Sequence, residues 1–410
     1  MRLDHAWLAR LSARLGGSFY VFDEEVFADN YRRLRDGLRR EWPRSEVAYA
    51  MKANYMPPIG RWLSRHEGLA EVVSRFEYEV ARQHLPGRQL IFNGPIKRTA
   101  DLRRALRDGS QVNLDSFEEV RRLARLAGEF TRVRIGLRLN FPDPELESRF
   151  GFEVESGELE RVLAALAAIG NVELVSLHCH ATCRARGVRD PVERLRRLCE
   201  LAGELMAEHP LETLNIGGGL LGRMPESLKA QFPFPVPELD EYAAEIGAAM
   251  ARYAPSPSLR LVVEPGVSMI ADTMVLVAPV MEVRRRRRGW QALLDTNVNG
   301  INPTRSDTCP SLRAVTPRRH EAESLRRYRL VGNTCMEHDV ICEAFEASRL
   351  EAGDFIVAAN RGAYSLNYTP PFIVPVPALV DRHGRVLKAA DDHHALLAGY
   401  RQPAADLTEG

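Results

Sequence analysis

Cysteine is sparse in this chain: six residues in 410, at positions 179, 183, 199, 309, 335 and 342. That is far below the density of a disulfide-stapled scaffold, so the fold must rest on a hydrophobic core. Long apolar runs are missing too. No window approaches the roughly 18 apolar residues of a membrane span. The opening stretch, MRLDHAWLARLSARLGGSF, reads as a short amphipathic helix ended by Gly16 and Gly17, without a signal-type apolar core. A reducing cytoplasm is the expected setting. Net charge is almost nil, with 56 Lys and Arg against 55 Asp and Glu. Such a balance gives no overall field to draw in nucleic acid or an anionic membrane, and neither is an expected partner. The one loud basic run, Arg284 to Arg288, sits between the strand-like VLVAPVMEV and WQALLDT. It reads as a solvated hairpin tip, because no second basic segment stands out to extend it into a nucleic-acid patch.

What the chain does have is length for two domains and a 45% hydrophobic content typical of globular proteins. Short apolar runs recur at 46–51, 69–73, 89–93, 111–115, 132–140, 172–180, 212–218 and 260–266. The segments between them, such as SFEEVRRLARLAG and DPVERLRRLCELAGELMAEH, carry helical periodicity with charged outer faces. Eight strands alternating with helices predict an α/β fold, a (β/α)8 TIM-type barrel, over residues 21–266. After Gly266 the texture changes to strand-like runs with few helical stretches, which predicts a C-terminal β-rich domain over 267–410. Residues 1–20 are expected to pack with that domain.

In such barrels the residues at the C-terminal strand ends face the active-site mouth. The polar residues at these run ends are Lys52, Ser74 with Glu77, Asn93, Asp115, Arg138, His180, Gly217–Gly219 and Glu264. Lys52, in VAYAMKANY, is either a lysine that snorkels past the strand end or an amine desolvated for Schiff-base chemistry. The glycines of LNIGGGLLG expose backbone N–H groups suited to a phosphate, though glycines also simply make tight turns. Glu264 in VVEPG would hold a pyridine ring nitrogen protonated and make that ring an electron sink. His180 in LHCHATC offers a flat ring for stacking. His178, His180 and Cys183 could instead ligate a metal, with 178 and 180 on one face of a strand, but the only comparable cluster, CMEHDVIC, has a spacing that matches no common zinc pattern, and no metal is expected. In VGNTCMEHDVI, Cys335 and Asp339 read either as an acid and a charged anchor or as an inert thiol and a turn residue. Tyr364 follows a glycine turn in RGAYSLNY.

Taken in order, FYVFD, YAMKANY, EVVSRFE, FNGPIK, LDSFEEV, SRFGF, HCHATC, NIGGG, EPG, CMEHD and GAY resemble the fold-type III pyridoxal-phosphate enzymes, the alanine-racemase-like barrels. The chain is most similar to their diaminopimelate, ornithine and arginine decarboxylase group, over about residues 18–375. The resemblance implies a cofactor, pyridoxal 5'-phosphate, bound covalently to Lys52. It implies that His180 stacks on the pyridine face, that Glu264 pairs with the ring nitrogen, and that Gly217, Gly218, Gly219 and Tyr364 surround the phosphate. It places Arg138 in the pocket lining. It has Cys335 reach into the barrel of a second subunit to protonate the substrate α-carbon, so a homodimer with shared active sites is expected. The reaction so implied is decarboxylation of an amino acid. Racemisation and a non-catalytic relative remain as alternatives; retention of both Lys52 and Cys335 speaks against the latter.

The departures are informative. The family's arginine after EPG is Val267 here, and its HIGS is HATC, which brings in Thr182 and Cys183; Arg184 is a candidate to compensate. The acidic residue that follows the cysteine and binds the distal ammonium of the substrate is Met336 here, with Glu337 and Asp339 further on as candidate anchors. A methionine cannot pair with a cation, and a desolvated ammonium without a partner is costly. The expected substrate is therefore a small amino-acid-type molecule, either an amino acid or a conjugated or carrier-bound one, of a specialised pathway such as siderophore or antibiotic synthesis or of amino-acid or polyamine metabolism.

Overall fold

The computed structural model describes residues 3–142, 148–181, 187–304, 308–317 and 325–400. The chain divides into two compact units, one spanning Glu24–Thr273 and one built from the two chain ends, up to Asp23 and from Met274 onward. The first strand, β1 (Phe19–Phe22), belongs to the second of these. The barrel strands follow as β2 (Ser45–Ala50), β3 (Leu69–Val72), β4 (Leu90–Phe92), β5 (Gln111–Leu114) and β6 (Val133–Asn140). A two-residue strand, β7 (Phe152–Glu153), lies beside β6. The remaining barrel strands are β8 (Val172–His178), β9 (Thr213–Asn215) and β10 (Arg260–Val263). Each of the eight apolar runs holds one barrel strand.

The strands pair in parallel from β2 through β6, then through β8 and β9 to β10. β10 returns to β2 with Val263 opposite Val47, which closes the ring as a (β/α)8 barrel. Parallel strands covered by helices are buried on both faces, hence the near-continuous apolar runs rather than alternation. The flanking helices carry their own signals. Helix Glu24–Glu41 has Glu24 and Glu25 in its first turn and Arg39 and Arg40 in its last, matching its dipole. It buries Phe27, Tyr31, Leu34 and Leu38. Ser74 and Ser116 cap the helices Arg75–Arg82 and Phe117–Leu126 by accepting from the Glu77 and Glu119 amides. These caps set the starts of two helices directly after strand ends, where the site lies.

The barrel unit continues beyond 266 through helix Val267–Ile270 and the turn Ala271–Thr273. In the β-rich unit the long strand β11 (Met274–Arg286) turns into β12 (Gly289–Leu294), with Arg286 opposite Gly289. Arg287 and Arg288 thus form the hairpin tip, as the basic run suggested. The other strands are β13 (Leu312–Val315), β14 (Arg326–Val331), β15 (Val340–Ala347), β16 (Phe355–Ala358), β17 (Ala378–Asp381) and β18 (Val386–Lys388). β1 lies between β11 and β17, antiparallel to the first and parallel to the second. Helix His5–Leu15 seals this sheet, with Leu8 and Leu11 packed on Phe19, Val277, Phe355 and Val380. Among the described residues no helix is long and apolar enough to cross a membrane.

Candidate active site

Strand β2 stops at Ala50, and Lys52 rides on a 3-10 turn, Met51–Ala53, at the C-terminal mouth of the barrel. Its ammonium lies 2.8 Å from Glu71 Oε2, and the Glu71 side chain is only 1% exposed. Glu71 sits on β3 beside Ala50 in the parallel register. Asn93, just past β4, links two carboxylates: its Nδ2 donates to Glu71 Oε1 at 3.2 Å and to Glu264 Oε1 at 2.9 Å. Asn113 on β5 fixes that amide by donating to Asn93 Oδ1 at 2.8 Å. Asn215 on β9 donates to Glu264 Oε1 at 2.6 Å, and His178 Nε2 lies 3.2 Å from Glu264 Oε2. A belt of polar groups therefore crosses the barrel from Lys52 to Glu264.

Glu264 is fully buried, and burial alone would push its carboxyl upward. The His178 charge and hydrogen bond outweigh burial, aided by Lys52, and hold it well below the usual carboxylate range. It is an anion in a dry site. His180 moves the other way: burial and then the Lys52 charge press its imidazole well below the ordinary histidine value. The hydrogen bonding agrees, since His180 Nδ1 accepts from the Gly218 amide at 2.9 Å and so carries no proton there. His180 is a neutral flat ring.

The glycine run divides into spent and open donors. The Gly217 amide donates to Asn215 Oδ1 at 2.9 Å, and that of Gly218 to His180. Gly217 has φ +65°, and a Cβ there would stand 2.7 Å from the His180 ring, so only glycine fits. Gly219 has φ +86°, and its amide donates to no protein acceptor among the described residues. Of the three glycine amides, that of Gly219 is the one left for an anion.

His178, His180 and Glu264 bring three ligand-type atoms within 4.8 Å of one another. Their hydrogen bonds to Asn93, Asn215 and Gly218 already occupy this cluster as a carboxylate site. Cys183, like Thr182 and Arg184, lies outside the described residues.

Arg138 on β6 is 8% exposed, ion-paired to Asp115 at 3.1 Å and stacked 4.4 Å over the Phe150 ring. Asp115 also accepts from the Gly151 amide at 3.0 Å. Beneath this pair lies another, Lys97 with Glu119 at 2.9 Å, both completely buried. Glu119 accepts from the Asp115 amide at 2.9 Å, so the deep pair holds the residue that holds Arg138.

In the β-rich unit, Cys335 is exposed on the turn between β14 and β15, followed by half-buried Met336 and exposed Glu337. Asp339 is different. It is 3% exposed, accepts from the Val298 amide at 2.7 Å, and takes both the amide and hydroxyl of Thr334, at 3.0 and 2.6 Å. Its carboxylate organises the cysteine loop, held there by three donors, two from Thr334 within the loop and one from Val298 outside it. Tyr364 holds a left-handed φ of +51°, a strained conformation of the kind that concentrates at functional sites.

Sequence reasoning missed Glu71, Asn113 and Asn215. Glu71 did leave a signal, a carboxylate inside the otherwise apolar run LAEVV.

A buried anionic carboxylate, a neutral imidazole, an open glycine amide and a lysine at one barrel mouth form a donor set that fits a phosphorylated pyridine aldehyde. Together they define a pyridoxal-phosphate barrel of fold type III. Residues 29–271 match the family model described as the pyridoxal-dependent decarboxylase, pyridoxal binding domain, and the chain belongs to that family. It is 29% identical to diaminopimelate decarboxylase of Pseudomonas aeruginosa over 374 residues, covering 87% of this chain and 85% of that one. It is 23% identical to the L-glutamyl-[BtrI acyl-carrier protein] decarboxylase of Niallia circulans, covering 93% and 92%. Among solved structures, diaminopimelate decarboxylase of Methanocaldococcus jannaschii shares the fold with a TM-score of 0.86 at 23% identity, over 96% of this chain and 94% of that one. The chain is a pyridoxal-dependent decarboxylase and its cofactor is pyridoxal 5'-phosphate.

Proposed function

We propose that this enzyme removes the α-carboxylate of an amino acid whose distal end is not a free ammonium, but is amide-linked, acidic, apolar or borne by a carrier. The observation that carries this reading is Met336 directly after Cys335, together with the commitment of Asp339 to its own loop. Exposed Glu337 is then the one carboxylate left in that segment. The relative that acts on a carrier-linked glutamyl group supports the same substrate class.

When bound, the cofactor supplies an electron sink for the pair released as CO2 leaves. Lys52 would hold the cofactor through its aldehyde and give it up to the substrate amine. Glu71, 2.8 Å away, orients that amine and stabilises it as an ammonium once displaced. Glu264, kept anionic by His178, Asn93 and Asn215, would accept the hydrogen bond of the protonated ring nitrogen. Neutral His180 would pack on the ring face. The open Gly219 amide would receive the phosphate, with Gly217 and Gly218 shaping the cradle. Arg138, braced by Asp115, lines the substrate side. Cys335 belongs to the neighbouring subunit of a homodimer and delivers its thiol proton to the α-carbon. The free thiols at Cys179, Cys199, Cys335 and Cys342 support a reducing, cytoplasmic setting.

The test is CO2 release by the purified enzyme across free diamino acids and their amide- or thioester-linked counterparts. A hydrogen-bonded charge contact contributes roughly 1.5–3 kcal/mol, so free lysine, ornithine and diaminopimelate should fall about ten- to a hundredfold below the preferred substrate in kcat/KM. Turnover of a free diamino acid near about 10⁴ M⁻¹s⁻¹ would show that Glu337 takes the ammonium and would end this reading.

A further inference from the structure

Helix Arg189–Leu205 carries Arg194, a guanidinium the reaction above does not use. The residue is 8% exposed. Its Nη1 donates to the Ala181 carbonyl at 2.7 Å, and its Nη2 donates to the Gly218 carbonyl at 3.0 Å. One side chain thus ties together the residue following His180 and the middle of the glycine run.

The consequence follows from peptide geometry. A trans peptide is planar, and its C=O and N–H point to opposite sides. With the Gly218 oxygen drawn onto Arg194, the Gly219 N–H of the same peptide must face away from the helix. That N–H is the open amide of the run. Arg194 therefore aims the donor and keeps a charge that does not titrate away close behind it. Position 267, at the start of helix Val267–Ile270 beside the same loop, contributes no charge because it is valine. Gly222 packs against this helix, where a Cβ would stand 2.6 Å from Ser268 Cα. A phosphate in a buried cradle needs both donors and a compensating cation.

We infer that Arg194 is the positioning residue for the cofactor phosphate: it locks the Gly218–Gly219 peptide so that the Gly219 amide faces the phosphate, and it supplies the positive charge that Val267 does not. This rests on the reading that the phosphate sits at Gly219.

The experiment titrates apo-enzyme with pyridoxal 5'-phosphate and, separately, with pyridoxal, following the absorbance of the Lys52 adduct. Arg194→Gln should weaken the phosphorylated ligand about tenfold or more and leave pyridoxal within about twofold. Arg194→Lys keeps the charge but cannot hold both carbonyls, and should fall between; it also serves as the deciding variant if the glutamine chain does not fold. Gly219→Ala is the control for the cradle itself. If Gly219→Ala lowers the phosphate-dependent affinity and Arg194→Gln does not, the cradle stands and the role of Arg194 is refuted. If neither changes it, the placement of the phosphate is wrong. Equal loss of both ligands in the Arg194 variants would show a merely structural residue and would also overturn the inference.

Discussion

Replacing Lys97 by methionine tests how the barrel rim is held. Lys97 and Glu119 are both fully buried, 2.9 Å apart, and Lys97 Nζ also donates to the Gly94 carbonyl at 2.7 Å. Burial pushes the ammonium down from the usual lysine range, and Glu119 pulls it back. In Lys97→Met the glutamate keeps two backbone donors, the amides of residues 97 and 115, but loses its counter-ion. Removing one partner of a buried pair costs about 3–5 kcal/mol. The charge part of this cost has a ceiling, because the carboxylate can instead take up a proton. At pH 7, protonating an ordinary glutamate costs about 4 kcal/mol, and at pH 5 only about 1 kcal/mol. The destabilisation should therefore shrink by about 3 kcal/mol between pH 7 and pH 5. For a unit of this size 1 kcal/mol moves Tm by about 2–4 °C, so the variant should melt about 6–20 °C low at pH 7 and recover most of that at pH 5. Differential scanning fluorimetry against wild type at each pH reads the effect directly. A Tm difference that is small at pH 7, or equally large at both pH values, would refute the argument that the lost pair charge dominates.

Three further outcomes are expected. Glu77 is 7% exposed, and burial, with Glu71 adding to it, pushes its carboxyl up to about 7 from 4.5. The folded state binds this proton more tightly than the unfolded state. The resulting stability is fully present below about pH 4.5 and is lost as pH rises through about 7, to the extent of up to about 3 kcal/mol. Glu77→Gln should thus raise Tm relative to wild type at pH 8 but not at pH 4.5, and a pH-independent difference would count against it. Chains carrying Lys52→Ala and chains carrying Cys335→Ala, each nearly inactive, should regain part of the activity on subunit exchange; light scattering that shows a monomer would remove the basis for this. Met336→Glu should raise kcat/KM for free diamino acids about ten- to a hundredfold; no change would mean that this position does not face the distal end of the substrate.

The barrel could be read from the sequence because parallel strands buried on both faces leave uninterrupted apolar runs. All eight runs hold a strand, and the polar residues that interrupt their ends, Lys52, His180 and Glu264, lie at the mouth. What escaped is the set of contacts made across the barrel. Asn215 and Asn93 reach one oxygen of Glu264 from strands far apart in the chain. Nothing local to NIGGG or FNGPIK records that meeting. Glu71 was hidden for the opposite reason: it lies within a run rather than at its end, so it passed as part of a strand although its partner is the site lysine. β1 shows the same limit at larger scale. FYVF reads as a strand anywhere, and only its pairing with Val277 and Leu276, more than two hundred residues later, assigns it to the β-rich unit. Asp339 shows what residue type alone does not record. A carboxylate four positions after Cys335 suits a cation, but the amides of Val298 and Thr334 and the Thr334 hydroxyl reach it first. A buried carboxylate that already holds three donors gains little from a fourth and loses its loop if it turns away. On the proposed reading, specificity for the distal end of the substrate comes from groups not committed to the fold, such as Met336 and Glu337 in this segment.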